Sequence, residues 1–211
     1  MHHYIKVLMK KHLKFILLAP LFMAVLCEDV IDECGLEDPE VYEINVENIV
    51  ETYAVDQTIW LNAQISSMLV DYCTEATTPE LITDTQVFLD GLFVLKLVNQ
   101  TEFNAEVFTD ATISYDIGEP FSFNACSEAI HYLPELTNDN LFYEYRLGIS
   151  INTTGDYCIV NARNNVFSTE NQNNADIFDS YNTLENQIKF KSCNITFTRN
   201  GTDGHYFFRV Q

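Results

Sequence analysis

Basic residues are scarce in this sequence, and their scarcity excludes one class of partner. The chain has 31 aspartates and glutamates against 11 lysines and arginines. Four of those lysines precede residue 15, so the chain beyond residue 27 carries a formal charge of −24. Nucleic-acid binding needs basic side chains that neutralise phosphates. We therefore expect no nucleic-acid partner, and solubility as the main effect of the charge.

Histidines and catalytic motifs are equally few. Beyond residue 27 the only histidines are His131 and His205. His131 lies in an apolar stretch typical of a core or interface histidine, whereas His205 follows a turn and is expected to face solvent. Cys126 and His131 are a conceivable nucleophile pair, but a disulfide at Cys126 is favoured. No nucleophile-elbow, HExxH, P-loop or dinucleotide-binding motif occurs, so we assign no catalytic or cofactor-binding residue.

The sequence also lacks an apolar run long enough to span a membrane. Phe15–Leu26 contains 12 uncharged residues, whereas a membrane helix needs about 20. A basic stretch precedes this run, and the first acid of the chain is Glu28. This order is typical of a secretory signal. We interpret residues 1–27 as a signal peptide and residues 28–45 as an acidic, flexible leader.

The end of the signal allows two outcomes. Cleavage near Val25–Cys27 would release the protein. Alternatively, Cys27 carries a lipid as the new N-terminus, although Leu26 stands where lipoprotein signals usually have Gly, Ala or Ser. The acids that follow Cys27 favour the lipoprotein. We expect the chain to be secreted or lipid-anchored at a bacterial cell envelope, with membrane contact only through that lipid.

Five cysteines follow Cys27, and in an exported protein they are disulfide candidates. No two are spaced as C-x-x-C, so the sequence does not support a structural zinc or thioredoxin-like site. We predict the pairs Cys73–Cys126 and Cys158–Cys193, with Cys34 in the leader.

Two-residue periodicity predicts that most of the chain is β-strand. The alternation is seen in Thr58–Ile65, Phe93–Val98 and Tyr143–Ile151. The Asn-Gly and Asp-Gly pairs of Asn200–Gly204 predict a hairpin that joins Lys189–Thr198 to His205–Val210.

Helices are predicted to be few and short. The candidates are Pro120–Ala129 and Ala175–Asn186, the second begun by Asn173 or Asn174 as a cap. Residues 46–211 are therefore expected to form a single all-β domain, an immunoglobulin-like β-sandwich. A closed barrel is the alternative.

The single tryptophan and two oxygen-rich loops are the candidates for binding. Trp60 in an alternating strand is typical of a sandwich core, and a sugar-binding platform is the alternative. The loops Asn138–Asn140 and Asn200 with Asp203 offer ligands for Ca²⁺. Asn and Asp clusters are above all turn formers, so a turn is favoured over a metal site. We expect no cofactor, with Ca²⁺ as the alternative.

Two segments carry a resemblance to a known group of proteins. Val55–Leu61 resembles the GDTIWL strand of uncharacterised Bacteroidetes-type secreted and surface lipoprotein β-sandwiches, with Val55 in place of Gly and Gln57 inserted. Thr153–Ile159 resembles a strand opening found late in such sandwiches. The resemblance implies a β-sandwich at the cell surface or outer membrane, and it implies no catalytic residue.

These patterns favour a non-enzymatic surface module that binds a protein or glycan partner or serves an envelope structure. The alternative is a secreted hydrolase that acts on glycans through a carboxylate pair. No pair stands out among 31 acids.

Overall fold

The computed structural model describes residues 43–69, 80–81, 91–122, 126–161, 164–168, 174–181 and 184–211. These ranges contain sixteen β-strands and one 3₁₀ helix, Ala175–Tyr181. The strands are β1 (Asn45–Val46), β2 (Thr52–Tyr53), β3 (Thr58–Ser66), β4 (Met68–Leu69), β5 (Glu80–Leu81), β6 (Leu92–Leu97), β7 (Ala105–Val107), β8 (Thr112–Ile117), β9 (Glu119–Pro120), β10 (Tyr132–Leu133), β11 (Glu135–Leu136), β12 (Phe142–Ser150), β13 (Gly155–Asn161), β14 (Gln187–Ser192), β15 (Ile195–Asn200) and β16 (Tyr206–Val210). No helix within the described ranges has the length and apolar character that crossing a membrane requires.

The first large sheet, here called the front sheet, is built around one long antiparallel pair. Its order is β1-β3-β12-β11, and β8 also pairs with β12. β3 and β12 stay in register from Thr58 opposite Ser150 to Ser66 opposite Phe142. Both strands alternate apolar and polar residues, so one face of the sheet is buried and the other meets solvent.

The second large sheet, the back sheet, has the order β2-β16-β13-β6-β7, with β2 parallel to β16. Its inner strands are buried on both faces. Leu92 and Val94 lie in one core cluster, whereas Phe93 and Leu95 lie in another. Near-continuous apolar runs are what a sheet covered on both sides requires.

The front and back sheets share one core. It contains Leu61 and Leu147 from the front sheet together with Tyr157 and Phe208 from the back sheet. In the front sheet β12 lies between β3 and β8, and in the back sheet β13 lies between β6 and β16. This order of antiparallel strands in two facing sheets is that of an immunoglobulin-like sandwich. The prediction of an all-β sandwich is confirmed.

A third layer covers the outer face of the back sheet. The 3₁₀ helix places Phe178 against Phe207, with ring centres 5.5 Å apart. The β14–β15 hairpin places Phe190 against Phe93, with ring centres 5.4 Å apart. This layer is the reason that the back strands bury both faces.

The hairpin predicted at Asn200–Gly204 is wrong. The chain instead folds back at Cys193 and Asn194, whose φ angles of 48° and 66° suit a two-residue hairpin loop. Asn200–Gly204 carries the chain from the hairpin to the back sheet, where β16 pairs with β13 and β2. The Asn-Gly signal marked a turn correctly, but it could not say which strands pair.

The helix predictions are only partly confirmed. Within the predicted segment Ala175–Asn186 the helix ends at Tyr181, and it is of the 3₁₀ type. Asn174 directly precedes the helix, where its carbonyl accepts from the Ile177 amide at 3.1 Å and its side-chain amide donates to the Val50 carbonyl at 3.1 Å. The other candidate cap, Asn173, lies outside the described residues. The predicted helix Pro120–Ala129 is wrong in its described part, since Pro120 ends strand β9 and residues 127–128 form a turn.

The predicted disulfide pairs are also wrong. Cys126 bonds to Cys193, with Cα atoms 5.6 Å apart. Cys158 is free and fully buried in β13, where it faces the third layer. Cys193 instead lies in the β14–β15 turn, where Cys126 is its partner. Cys73, Cys34 and Cys27 lie outside the described residues, as do the signal peptide and most of the leader.

The fold begins earlier than the expected boundary at residue 46. Ile44 was assigned from sequence to the leader, yet it is fully buried. Its backbone forms a parallel bridge with Phe167. The end of the leader therefore belongs to the core.

Candidate functional site

Trp60 lies on the solvent face of the front sheet, so the prediction of a core tryptophan is wrong. Ile59 and Leu61 on either side of it are buried, and Trp60 is partly exposed between them. Because side chains alternate along a strand, the register that buries Ile59 and Leu61 places Trp60 outside. The alternative, a sugar-binding platform, needs an indole that is at least partly exposed, and sugar binding itself stays a prediction.

Arg146 on β12 stacks on the Trp60 ring, with its guanidinium carbon 4.0 Å from the ring centre. Glu47 accepts two hydrogen bonds from Arg146, one at each carboxylate oxygen, both at 2.8 Å. Asp116 of β8 accepts a third, also at 2.8 Å. A planar guanidinium held by a ring and two carboxylates has little rotational freedom, so this cation is fixed in place.

The turn after β1 positions Glu47 for this role. The Glu47 amide donates to the Trp60 carbonyl at 2.8 Å, which ties the turn to β3. Asn62 donates from its side-chain amide to Glu47 Oε1 at 3.0 Å. The hydrogen bonds from Arg146 hold the pKa of Glu47 below its ordinary value. Glu47 is therefore an ionised acceptor and is unsuited to act as a general acid at neutral pH.

A cavity of about 440 Å³ opens beside Arg146 on this face, and we call it the polar groove. Gln64, which also lines it, donates to Glu144 at 2.9 Å. The polar side chains that line the groove are Glu43, Asn45, Glu47, Asn62, Gln64, Glu144 and Arg146. They come from β1 and the residues that flank it, from β3 and from β12, so the sheet register sets their spacing.

The lack of a side chain at Gly148 leaves room for the Trp60 ring. Gly148 is the cross-strand partner of Trp60. A Cβ atom at Gly148 would lie 3.0 Å from the Trp60 ring and 2.6 Å from the Thr58 methyl group. The absence of a side chain therefore allows the indole to lie close to the neighbouring strand.

A second, smaller cavity of about 220 Å³ lies beside His131. Its walls combine apolar side chains such as Ile113 and Ile130 with polar ones such as Glu128. The Tyr115 hydroxyl donates to the His131 carbonyl at 3.3 Å. Cys126 is bonded to Cys193, so the pair of Cys126 with His131 offers no thiol nucleophile. His131 itself is half-buried, at the margin of the core rather than within it.

The oxygen-rich loop Asn138–Asn140 is a turn. The Asn140 amide donates to the Thr137 carbonyl at 2.8 Å. Asp139 Oδ1 accepts from the Thr137 hydroxyl at 2.6 Å and from the Leu141 amide at 3.1 Å. These hydrogen bonds lower the pKa of Asp139. The oxygen that a cation would need is engaged in closing the turn, which agrees with the favoured interpretation.

Comparison of the chain with protein-family models, with curated proteins and with solved structures returned no match. The resemblance to Bacteroidetes-type surface sandwiches stays a prediction.

Sequence reasoning named Trp60 but missed Arg146, Glu47, Asn62 and Gln64. Arg146 had a detectable signal, because it is a basic residue at a solvent-facing position of the most regular strand in an acidic chain. Glu47 had none, because its role depends on the pairing of β1 with β3.

Proposed function

We propose that this chain is an exported, non-enzymatic binding module that holds its ligand in the polar groove of the front sheet. The observation that carries the proposal is the fixed network of Arg146, Glu47, Asp116 and Trp60. An ordinary solvated sheet face has mobile polar side chains, whereas these are held by hydrogen bonds and stacking. Pre-organised polar groups around a concavity lower the entropy cost of binding.

The export half of the proposal is supported by the signal-like N-terminus and by a disulfide, which forms and persists in oxidising compartments. Expression of the full chain with a C-terminal tag in a diderm bacterium, followed by fractionation and mass spectrometry of the N-terminus, tests it. We expect processed protein that begins at or just after Cys27 in the envelope or the medium. A diacylglycerol mass on that residue would identify the lipoprotein form. Unprocessed protein in the cytoplasm would overturn the proposal.

The binding half is tested with a groove variant, Asn62→Ala with Gln64→Ala. The matched control is Asn99→Ala with Gln100→Ala, an exposed pair outside the groove in which Gln100 donates to Glu106 much as Gln64 donates to Glu144.

Thermal-shift measurements on a library of peptides, proteins and glycans compare the wild type with these two variants. A ligand that binds the folded state raises the melting temperature. We expect a ligand that shifts the wild type and the control but leaves the groove variant unmoved. A library that shifts none of the proteins, or shifts all three equally, would contradict the proposed site.

A further inference from the structure

We infer that the ligand of the polar groove is a neutral glycan chain. The inference rests on the proposed function and adds the chemical class of the ligand. It is carried by the mixed hydrogen-bonding character of the groove, by its charge, and by the aromatic group beside it.

The groove offers donors and acceptors side by side. Asn45, Asn62 and Gln64 carry amides, which both donate and accept, and Glu43 and Glu144 carry acceptor-only carboxylates. Sugar hydroxyls also donate and accept, so a polyol can satisfy such a lining at many points. Some of these groups already pair with one another, Asn62 with Glu47 and Gln64 with Glu144, and the positions that remain include both donors and acceptors. A ligand with only donors or only acceptors would match one kind and not the other, at a cost in affinity.

The register spaces these groups regularly. Asn62 and Gln64 are two residues apart on β3, a separation of about 7 Å along the strand. Arg146 and Glu144 lie directly opposite them on β12, about 5 Å across the sheet. A lining that repeats along and across the sheet suits an extended chain of similar units better than one compact molecule.

The charge of the groove disfavours anionic ligands. Its three carboxylates, on Glu43, Glu47 and Glu144, outnumber the one guanidinium of Arg146, and that guanidinium is engaged by Glu47 and Asp116. Uronic acids, phosphate esters and other anions therefore meet net repulsion. A cationic side chain is attracted by this net charge, but it offers only hydrogen-bond donors, so the amide N–H groups of the lining find no acceptor on it. The lining suits a ligand without charge.

Trp60 does not line the groove itself but lies beside it, two residues before Asn62 on the same face of β3. Its ring contacts the Arg146 guanidinium and remains partly exposed. Sugars present C–H groups beside their hydroxyls, and an aromatic ring accepts such groups without a hydrogen-bonding penalty. As the single tryptophan of the chain, Trp60 also reports binding through its fluorescence.

Isothermal titration calorimetry with Trp60 fluorescence tests the inference on the mature chain, residues 28–211. The probes are neutral hexasaccharides (gluco-, xylo-, manno- and chito-oligosaccharides), an oligogalacturonate and an oligolysine. We expect a neutral hexasaccharide to bind and to change the Trp60 emission. The groove variant should weaken that binding by at least about tenfold, and the Asn99/Gln100 control should leave it unchanged.

Three outcomes overturn the inference. If oligolysine or oligogalacturonate binds in the groove and no neutral sugar does, the ligand class is wrong although the binding function stands. If a neutral sugar binds the wild type and the groove variant equally, the site is wrong. If no neutral sugar binds at all, the glycan inference fails, and the thermal-shift library then decides separately whether the groove binds anything. Melting curves of each variant show whether it is folded.

Discussion

His205 is fully buried between the turn at Gly204 and strand β16, although its position after a turn predicted exposure. Within the described part of the chain, no other side chain hydrogen-bonds to either of its ring nitrogens. Burial and, to a smaller extent, the charge on Arg199 together lower the pKa of His205 to about 4, against an opposing effect of the Gly204 backbone. A buried imidazole of this kind is neutral in the fold and protonates readily only in the unfolded chain.

The consequence is a loss of stability in mild acid. His205 is protonated below pH 6.5 in the unfolded chain but only below about 4 in the fold. Its contribution is therefore complete above pH 6.5 and is lost as the pH falls towards 4. Between pH 7 and 4.5 we expect His205 to account for about 2 to 3 kcal/mol of lost unfolding free energy.

Urea unfolding of the wild type and of His205→Leu at pH 7 and pH 4.5 measures the contribution of His205 to the unfolding free energy. Leucine fills a similar volume and does not titrate, so the variant should lose less stability on acidification. Equal losses in the two proteins would show that His205 is hydrated or paired in solution.

Gly148 is the second residue whose role depends on its exact neighbours. Gly148→Ala places a Cβ atom 2.6 Å from the Thr58 methyl group and 3.0 Å from the Trp60 ring. We expect a loss of about 1 to 3 kcal/mol and a shift in the emission maximum of Trp60 as the ring moves. Ser114→Ala, on the other side of Gly148 in the same cross-strand row, is the control and should change neither. An unchanged emission spectrum for Gly148→Ala would mean that the ring does not rest against this strand.

At the scale of elements, strands were predictable and their partners were not. The alternation in Thr58–Ile65 and Tyr143–Ile151 located β3 and β12 because each strand has one buried face. The same alternation places Trp60 on the outer face of β3. The prediction of a core tryptophan is wrong because it gives the size of an aromatic residue more weight than the register that Ile59 and Leu61 impose.

The hairpin and the disulfide were missed for a common reason. The loop at Cys193 and Asn194 contains no glycine, so its positive φ angles left no glycine signal in the sequence. Without a signal for that turn, the sequence predicts a strand at Cys193 and the wrong disulfide partner for it. Pairing depends on which layers meet, and the third layer over the back sheet was not foreseen.

The Cys126–Cys193 bond ties the β14–β15 turn to the segment that precedes β10. Ser192 and the Cys193 amide both donate to Glu128, at 2.7 and 3.2 Å, which strengthens the same link. The bond closes a loop of 67 residues. In the entropic account, such a cross-link lowers the conformational entropy of the unfolded chain and so raises the free energy of unfolding by about 4 kcal/mol.

We therefore expect Cys126→Ser with Cys193→Ser to lower the unfolding free energy by about 2 to 4 kcal/mol, measured by urea denaturation. Cys158→Ala is the control, because it removes a free, buried thiol and no cross-link. A double variant as stable as the wild type would mean that the bond does not constrain the chain.

At the scale of the whole molecule, the two sheets have different roles. The back sheet is buried on both faces and forms part of the core. The solvent face of the front sheet instead carries the polar side chains that line the groove. The sandwich class followed from strand periodicity. The groove did not, because it is made by the register between β1, β3 and β12.

Chemical-shift mapping of the isotope-labelled mature chain tests the claim that this face is the binding site. Neutral hexasaccharides, oligogalacturonate and oligolysine are each titrated into the protein. We predict that the probe that binds shifts the amides of Asn45, Asn62, Gln64 and Arg146 and the indole N–H of Trp60, and leaves β6 and β13 unmoved. Shifts confined to the cavity beside His131 or to the third layer, or no shift at the groove with any probe, would contradict the account.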